Sequence, residues 1–276
     1  MRGLLLLLTI TLAAAFLQPP LKVGRDAAIS TKREIEIPRY NSSRTWSLNS
    51  FAFSLLPLSP REQRATLCEE VVRGKVWTLD QIQGIIMVNV PVRSTVVKLE
   101  GGGLLVYNPV APTREALEII SRLEEQHGKV KYIVLGTLGL EHKALAGPFS
   151  RCFPQAEVWL QPGQWAFPVN LPPPLFGFPL NSRVIPENSS EAPWSKDFDH
   201  AVLGPLRFKS VGGFGETAMF HRSTNTLLLT DTIVKVGDTP PPILTEDPRA
   251  LLFHSRDNML EVVEDTDEVR KKGYRR

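Results

Sequence analysis

The sequence predicts a mixed α/β domain behind a targeting leader. Three observations carry that prediction. Short runs rich in β-branched and aromatic residues recur between Gly, Pro and Asn punctuation. An amphipathic stretch with helical spacing lies between two of them. The N-terminal quarter differs sharply from the rest in composition and charge.

The chain opens Met1-Arg2-Gly3, continues through the apolar run Leu4–Leu12 and reaches Ala13-Ala14-Ala15. A basic start, a short apolar run and small residues form a signal-peptide pattern over 1–15. That run is too short for the roughly 20 residues that span a bilayer, so no stable membrane anchor is expected once the leader is removed. Residues 16–66 are Ser/Thr- and Arg-rich and resemble a transit peptide. Ala15-Phe16 resembles the junction in two-part presequences of algae whose plastids lie inside extra membranes. Plastid import is the expectation, with secretion as its alternative. The sequons at Asn41 and Asn188 weigh little between the two.

Within the expected domain, residues 76–263, Ile85–Val90 and Ser94–Leu99 read as strands. Gly101–Gly103 makes a turn into the strand Leu104–Tyr107, which Asn108-Pro109 ends. Thr113 to Gln126 reads as a helix with Thr113 as N-cap, Glu115 and Glu118 near its positive end and Gly128 beyond its close. His127 suits the negative end of that helix. Tyr132–Leu135 reads as a buried strand, followed by a loop over 136–143, a short helix over 144–149 and a strand at Glu157–Leu160. Residues 161–193 are loop-rich and hold Trp165, Phe167, Phe176 and Phe178, which with Trp194 could form core or line one apolar pocket. Thr217–His221 and Thr226–Thr230 read as a hairpin closed by Asp231. The last residues, 264–276, read as a solvated charged tail.

Charge narrows the function classes. Residues 1–66 hold nine Lys/Arg against four Asp/Glu, and residues 67–276 hold 23 against 25. The net +3 of the chain thus belongs to the leader, and the body has no basic excess to hold phosphate backbones. Nucleic acid is not an expected partner; a small molecule or a protein is. Cys68 and Cys152 lack CxxC spacing, which argues against a thiolate metal site and leaves thiol regulation as an alternative. Gly101–Gly103 and Gly212–Gly215 lack the context of a phosphate loop. His200, His221 and His254 have no sequence cluster around them.

The order hairpin, helix, buried strand, acidic-His loop and late strand ending in Asp resembles the metallo-β-lactamase fold, an αββα sandwich of mixed sheets. That superfamily carries His-x-His-x-Asp-His after the buried strand. Here the stretch is Thr137-Leu138-Gly139-Leu140-Glu141-His142, so both leading histidines are replaced. Asp231 matches the superfamily's bridging Asp, and Gly212–Glu216 stands where a third metal histidine is usual. More specifically, Asn89–Arg93, Asn108–Thr113, Gly139–Lys143, Phe153–Trp159, Pro162–Trp165 and Phe220–Asp231 resemble an uncharacterised family, a domain of unknown function from photosynthetic lineages with this degenerate fold. In that family the chain continues past 272–276, which implies a truncated C-terminus here.

The resemblance implies no standard two-metal centre, since such a centre needs about six nitrogen and oxygen ligands. No cofactor is expected, although Glu141, His142 and Asp231, with Glu216 as a fourth, could rebuild a site for a single divalent metal. The leading expectation is therefore a plastid-imported binding or accessory module. The alternatives are a mono-metal hydrolase and a thiol-regulated protein.

Overall fold

Alternating side chains along the central strands fix the architecture of this computed structural model. It describes residues 58–59, 64–85, 88–164, 172–207, 212–258 and 260–276. The expected leader, Trp165 and Phe167 thus lie largely or wholly outside the described residues.

The first sheet contains β1 (Leu58–Ser59), β2 (Leu67–Val72), β3 (Val76–Ile85), β4 (Val88–Lys98) and β5 (Leu104–Tyr107). After helix α1 (Arg114–His127) come β6 (Val130–Leu135), helix α2 (Leu140–Cys152), β7 (Glu157–Leu160) and β8 (Arg183–Val184). The order is β1-β3-β4-β5-β6-β7-β8, with β2 also on β3. Strands β3, β4 and β5 run antiparallel, and β5 through β8 run parallel. A second sheet holds β9 (Phe198–Arg207), β10 (Gly213–His221) and β11 (Thr226–Leu228).

Two cores follow from the period of two. Leu104, Val106, Ile133 and Leu135 face the helices and pack with Ile119, Ile120 and Leu123 of α1 and with Leu145 and Phe149 of α2. Leu105, Tyr107 and Val134 face the second sheet and pack with Phe198, Met219 and Leu228. All four residues of β5 are buried, as expected of a strand covered on both faces. Each fully buried Leu or Val contributes about 1.5–3 kcal/mol. The mixed α/β fold with mixed sheets is thus as the sequence predicts.

Several local expectations need correction. Ile85–Val90 is not one strand, because Ile85 and Val88 are ladder partners on the two arms of a hairpin. Apolar composition does not mark where a chain reverses. The folded body also begins before residue 76: β2 pairs with β3, and Arg64, Ala65 and Thr66 are buried. The segment 198–207 is a full strand that the sequence reading passed over; Gly204-Pro205 interrupts its pattern.

The closing segment is not a solvated tail. Helix α3 (Pro242–Glu246) packs on β3, α4 (Arg249–Ser255) on β4, and α5 (Asp267–Arg275) on α4. Ile82, Ile243, Leu244, Ala250 and Leu251 form their core, with Tyr274 against it. Gly273 lets α5 approach α4 closely, for a Cβ there would lie 1.8 Å from the Leu251 carbonyl oxygen. A charged sequence hid this contact because the approach uses a glycine instead of an apolar stripe.

Of the aromatic residues singled out in the sequence, Phe178 and Trp194 have described side chains, and these two do not share one pocket. Phe178 packs in the helix-side core, whereas Trp194 packs between the sheets against Tyr132 and Trp159.

Candidate functional site

The candidate site forms where β5 and β6 end side by side. Asn108 fastens this corner with a backbone φ of 48°. Its Oδ1 accepts from the Gly136 N–H at 2.7 Å, and its Nδ2 donates to Thr230 Oγ1 at 2.5 Å. The Tyr107 hydroxyl donates to the Thr217 carbonyl at 2.9 Å. Gly136 is required here: a Cβ would fall 2.3 Å from the Tyr107 ring. The chain then crosses to the second sheet, with Thr217 N–H donating to Gly136 O at 2.7 Å and Leu138 N–H to Gly215 O at 3.1 Å.

Helix α2 begins sooner than expected, at Leu140 instead of Ala144, so Glu141 and His142 occupy its first turn and not a loop. Its cap residue is Gly139, with no side-chain cap. The apolar helical signal is weak in this first turn, which explains the misplaced start. Glu141 folds back to accept from its own backbone N–H. A Cβ on Gly139 would lie 2.7 Å from Glu141 Oε1. The carboxylate thus fills the space beside Gly139.

Glu216 is engaged differently. Its Oε1 accepts from Thr230 N–H at 2.5 Å. Its Oε2 accepts from Asp231 N–H at 2.8 Å, from Thr232 N–H at 2.7 Å and from the Thr232 hydroxyl at 2.7 Å. Four donors leave this carboxylate organising the 230–232 loop. Strand β11 ends at Leu228, so Asp231 does not end a strand; Glu216 holds it in place.

Although Asp231 reaches solvent, its carboxyl group accepts from the Thr137 hydroxyl and senses Glu141, His142 and Glu216. Burial and then Glu141 push its pKa up to about 6, with Glu216 adding and His142 opposing. Burial lowers the pKa of His142 against the pull of Asp231 and Glu216. Glu141 is raised by burial, partly offset by its own N–H and Lys143. Lys143 is lowered by burial to about 8, with Glu141 opposing.

Glu141, His142 and Glu216 thus all lie near enough to Asp231 to act on its charge. Sequence reasoning missed Thr137, Lys143 and Gln164 as members. Gln164 Nε2 donates to the Thr137 carbonyl at 3.1 Å. Among the described residues, Gln164 Oε1 and His142 Nδ1 are buried without a hydrogen-bond partner. Lys143 had one available signal, its place beside Glu141 and His142; its burial had none.

Other candidates have structural roles. His200 accepts from Trp194 Nε1 at 3.3 Å and pairs with the Pro186 carbonyl at 2.7 Å. His221 pairs with Thr224 Oγ1 at 2.7 Å. His127 stacks on Trp77 with ring centroids 5.0 Å apart, beyond its place at the helix end. Burial raises the Cys68 thiol to about 12 and also raises that of Cys152, which disfavours thiolate chemistry at both.

The donor set does not fit a metal centre of the superfamily type. Thr137 and Gly139 supply no imidazole, and Glu216 is engaged by its loop. Among the described residues no three His, Cys, Asp or Glu side chains are grouped to hold an ion. Neither do any of them form a helix long and apolar enough to cross a membrane.

Fold and site define a mixed α/β domain of two sheets with a buried polar corner where β5 and β6 end. The chain belongs to the family described as Domain of unknown function (DUF4336), which it matches over residues 73–276. No curated protein matches it. Among solved structures it is similar to a metallo-β-lactamase from Pontibacter korlensis, at 12% identity and TM-score 0.40, covering 60% of this chain and 70% of that one. A metallo-β-lactamase from Hirschia baltica gives 11% identity and TM-score 0.39, over 59% of this chain and 69% of that one. The metal-soaked Flv1 flavodiiron core from Synechocystis sp. gives 12% and 0.41, over 70% and 50%.

Proposed function

We propose that this protein is a plastid-imported binding or accessory module, built on a metallo-β-lactamase-like domain whose metal face has become a metal-free polar site. The observation that supports the reading is the engagement of Glu216 by four loop donors, beside a Glu141 carboxylate packed over Gly139. Buried, unpartnered atoms on His142 and Gln164 give the site groups that a ligand can satisfy. Its partner on this reading is a small molecule or a protein. Nucleic acid is left out because residues 67–276 carry more acidic than basic side chains.

Elemental analysis of the purified chain beside His142→Ala tests it. No stoichiometric zinc, iron or manganese in either folded protein is the expected result. Stoichiometric metal that disappears in the variant would replace this reading with the mono-metal hydrolase. For import, residues 1–66 fused to a fluorescent reporter should reach the plastid, and secretion of the reporter would defeat that part.

A further inference from the structure

A second polar feature lies at the far end of the first sheet, where α4 crosses β4. Asn89, Arg249, Leu252, Phe253 and Arg256 wall a cleft of about 270 Å³. Asn89 is six residues from Thr95, the ladder partner of Tyr107. At about 3.4 Å per residue, the cleft is roughly 20 Å along β4 from the corner that holds His142 and Asp231.

Helical spacing explains the wall. Leu252 and Phe253 follow Arg249 by three and four residues and share its face of α4, and Arg256, the extended residue that ends the helix, completes the wall. Leu252 and Phe253 make that face apolar between two guanidinium groups. The Arg256 guanidinium lies over the Phe253 ring, 6.0 Å from its centroid. Its Nε is buried without a hydrogen-bond partner, and so is Asn89 Oδ1.

Local charge is positive and its acids are already paired. Arg249 Nε donates to Asp247 at 2.7 Å. Asp257 accepts from Lys272 at 3.0 Å and from Arg276 at 2.6 Å. The buried Arg64, bonded to Gln83 at 2.7 Å, feels Arg249 strongly enough that burial and this neighbour together hold its pKa down to about 9. An unpartnered guanidinium N–H in such a place favours an oxyanion, to which arginine makes strong charge-assisted bonds. The Asn89 carboxamide calls for a second group, and a hydroxyl serves whichever way the amide is turned, since it both donates and accepts.

We propose that this cleft binds a small organic anion, a carboxylate on a short apolar body that also carries a hydroxyl. Arg256 Nε–H donates to the carboxylate, Leu252 and Phe253 cover the body, and Asn89 meets the hydroxyl. The volume, just under the usual range of about 300–1,000 Å³ for drug-sized ligands, limits the ligand to a small one.

Calorimetric titration of the full chain with 4-hydroxybenzoate tests this, beside benzoate, 4-hydroxybenzamide and inorganic phosphate. Saturable binding of 4-hydroxybenzoate at one site per chain is expected. Arg256→Gln should weaken it about tenfold or more, the loss expected of a charged hydrogen bond. Asn89→Ala should weaken 4-hydroxybenzoate about threefold to tenfold and leave benzoate unchanged. Circular dichroism establishes that each variant is folded, and Arg249→Gln, which also removes a wall charge, replaces Arg256→Gln should that variant unfold. The proposal is overturned if no saturable binding occurs, if the folded arginine variant binds equally well, or if the neutral amide or phosphate binds as tightly as 4-hydroxybenzoate.

Discussion

Replacing Glu216 by Gln changes one oxygen of a buried carboxylate and tests how the 230–232 loop is held. Glu216 is only 1% exposed. The amide oxygen is best placed on the side that now accepts from Asp231 N–H, Thr232 N–H and the Thr232 hydroxyl. The NH₂ group then faces Thr230 N–H, where the carboxylate accepts at 2.5 Å. One hydrogen bond is lost to a donor–donor contact, and three charge-assisted bonds become neutral ones. Hydrogen bonds to charged groups contribute about 1.5–3 kcal/mol and neutral ones about 0.5–1.5. Solvent reaches Asp231 and Thr232 and compensates part of the loss, which leaves about 3 kcal/mol. For a body of this size that is a fall in Tm of about 6–12 °C. Thermal unfolding followed by circular dichroism at pH 7.5 reads it directly. Removing the charge also relaxes the upward push on Asp231, so the Asp231 carboxyl should titrate lower by NMR. A Tm change under about 2 °C would refute the reasoning, because the loop would then be held by something other than this carboxylate.

Asp231→Asn should raise Tm at pH 7.5 and leave it unchanged at pH 4. The folded pKa of about 6 lies above the ordinary 3.8, so the ionised carboxylate destabilises the fold, a penalty that grows as pH rises from about 4 and is complete above about 6. Equal shifts at both pH values would contradict this sign. Gly136→Ala should cost about 1–3 kcal/mol in urea unfolding, since its Cβ must displace the buried Tyr107 ring, whereas Gly139→Ala should cost under about 1 kcal/mol because the Glu141 side chain can swing aside. Equal losses would show that the Tyr107 contact is not the constraint. In the native protein a thiol reagent should modify the exposed Cys152 and spare Cys68 until denaturant is added. Modification of both thiols without denaturant would mean that the helix-side core opens readily.

Local signals made much of the fold legible. Thr113 accepts from the Ala116 N–H at 3.1 Å as sequence chemistry requires, and Gly128 closes the same helix at a positive φ of 94°, although not in the left-handed helical conformation expected of it. The apolar run Tyr132–Leu135 reads as a buried strand, and Ile133, Val134 and Leu135 of β6 are buried. The absence of histidine at Thr137 and Gly139, and the presence of Glu141, His142 and Asp231, were likewise readable residue by residue. What one-dimensional pattern could not supply is distance between segments. Glu216 and the 230–232 loop are 14–16 residues apart, and only the β10–β11 hairpin brings the carboxylate under the loop amides. Gly139 and Gly273 look alike in sequence, yet one makes room for a neighbouring carboxylate and the other for a whole helix. Propensity and periodicity report each residue's own backbone and face, so the sequence by itself determined the elements and the residues available. Burial, charge coupling and close approach depend on what lies opposite, and only the tertiary structure decided that Glu216 serves a loop, that α5 belongs to the core and that Arg256 faces a cleft.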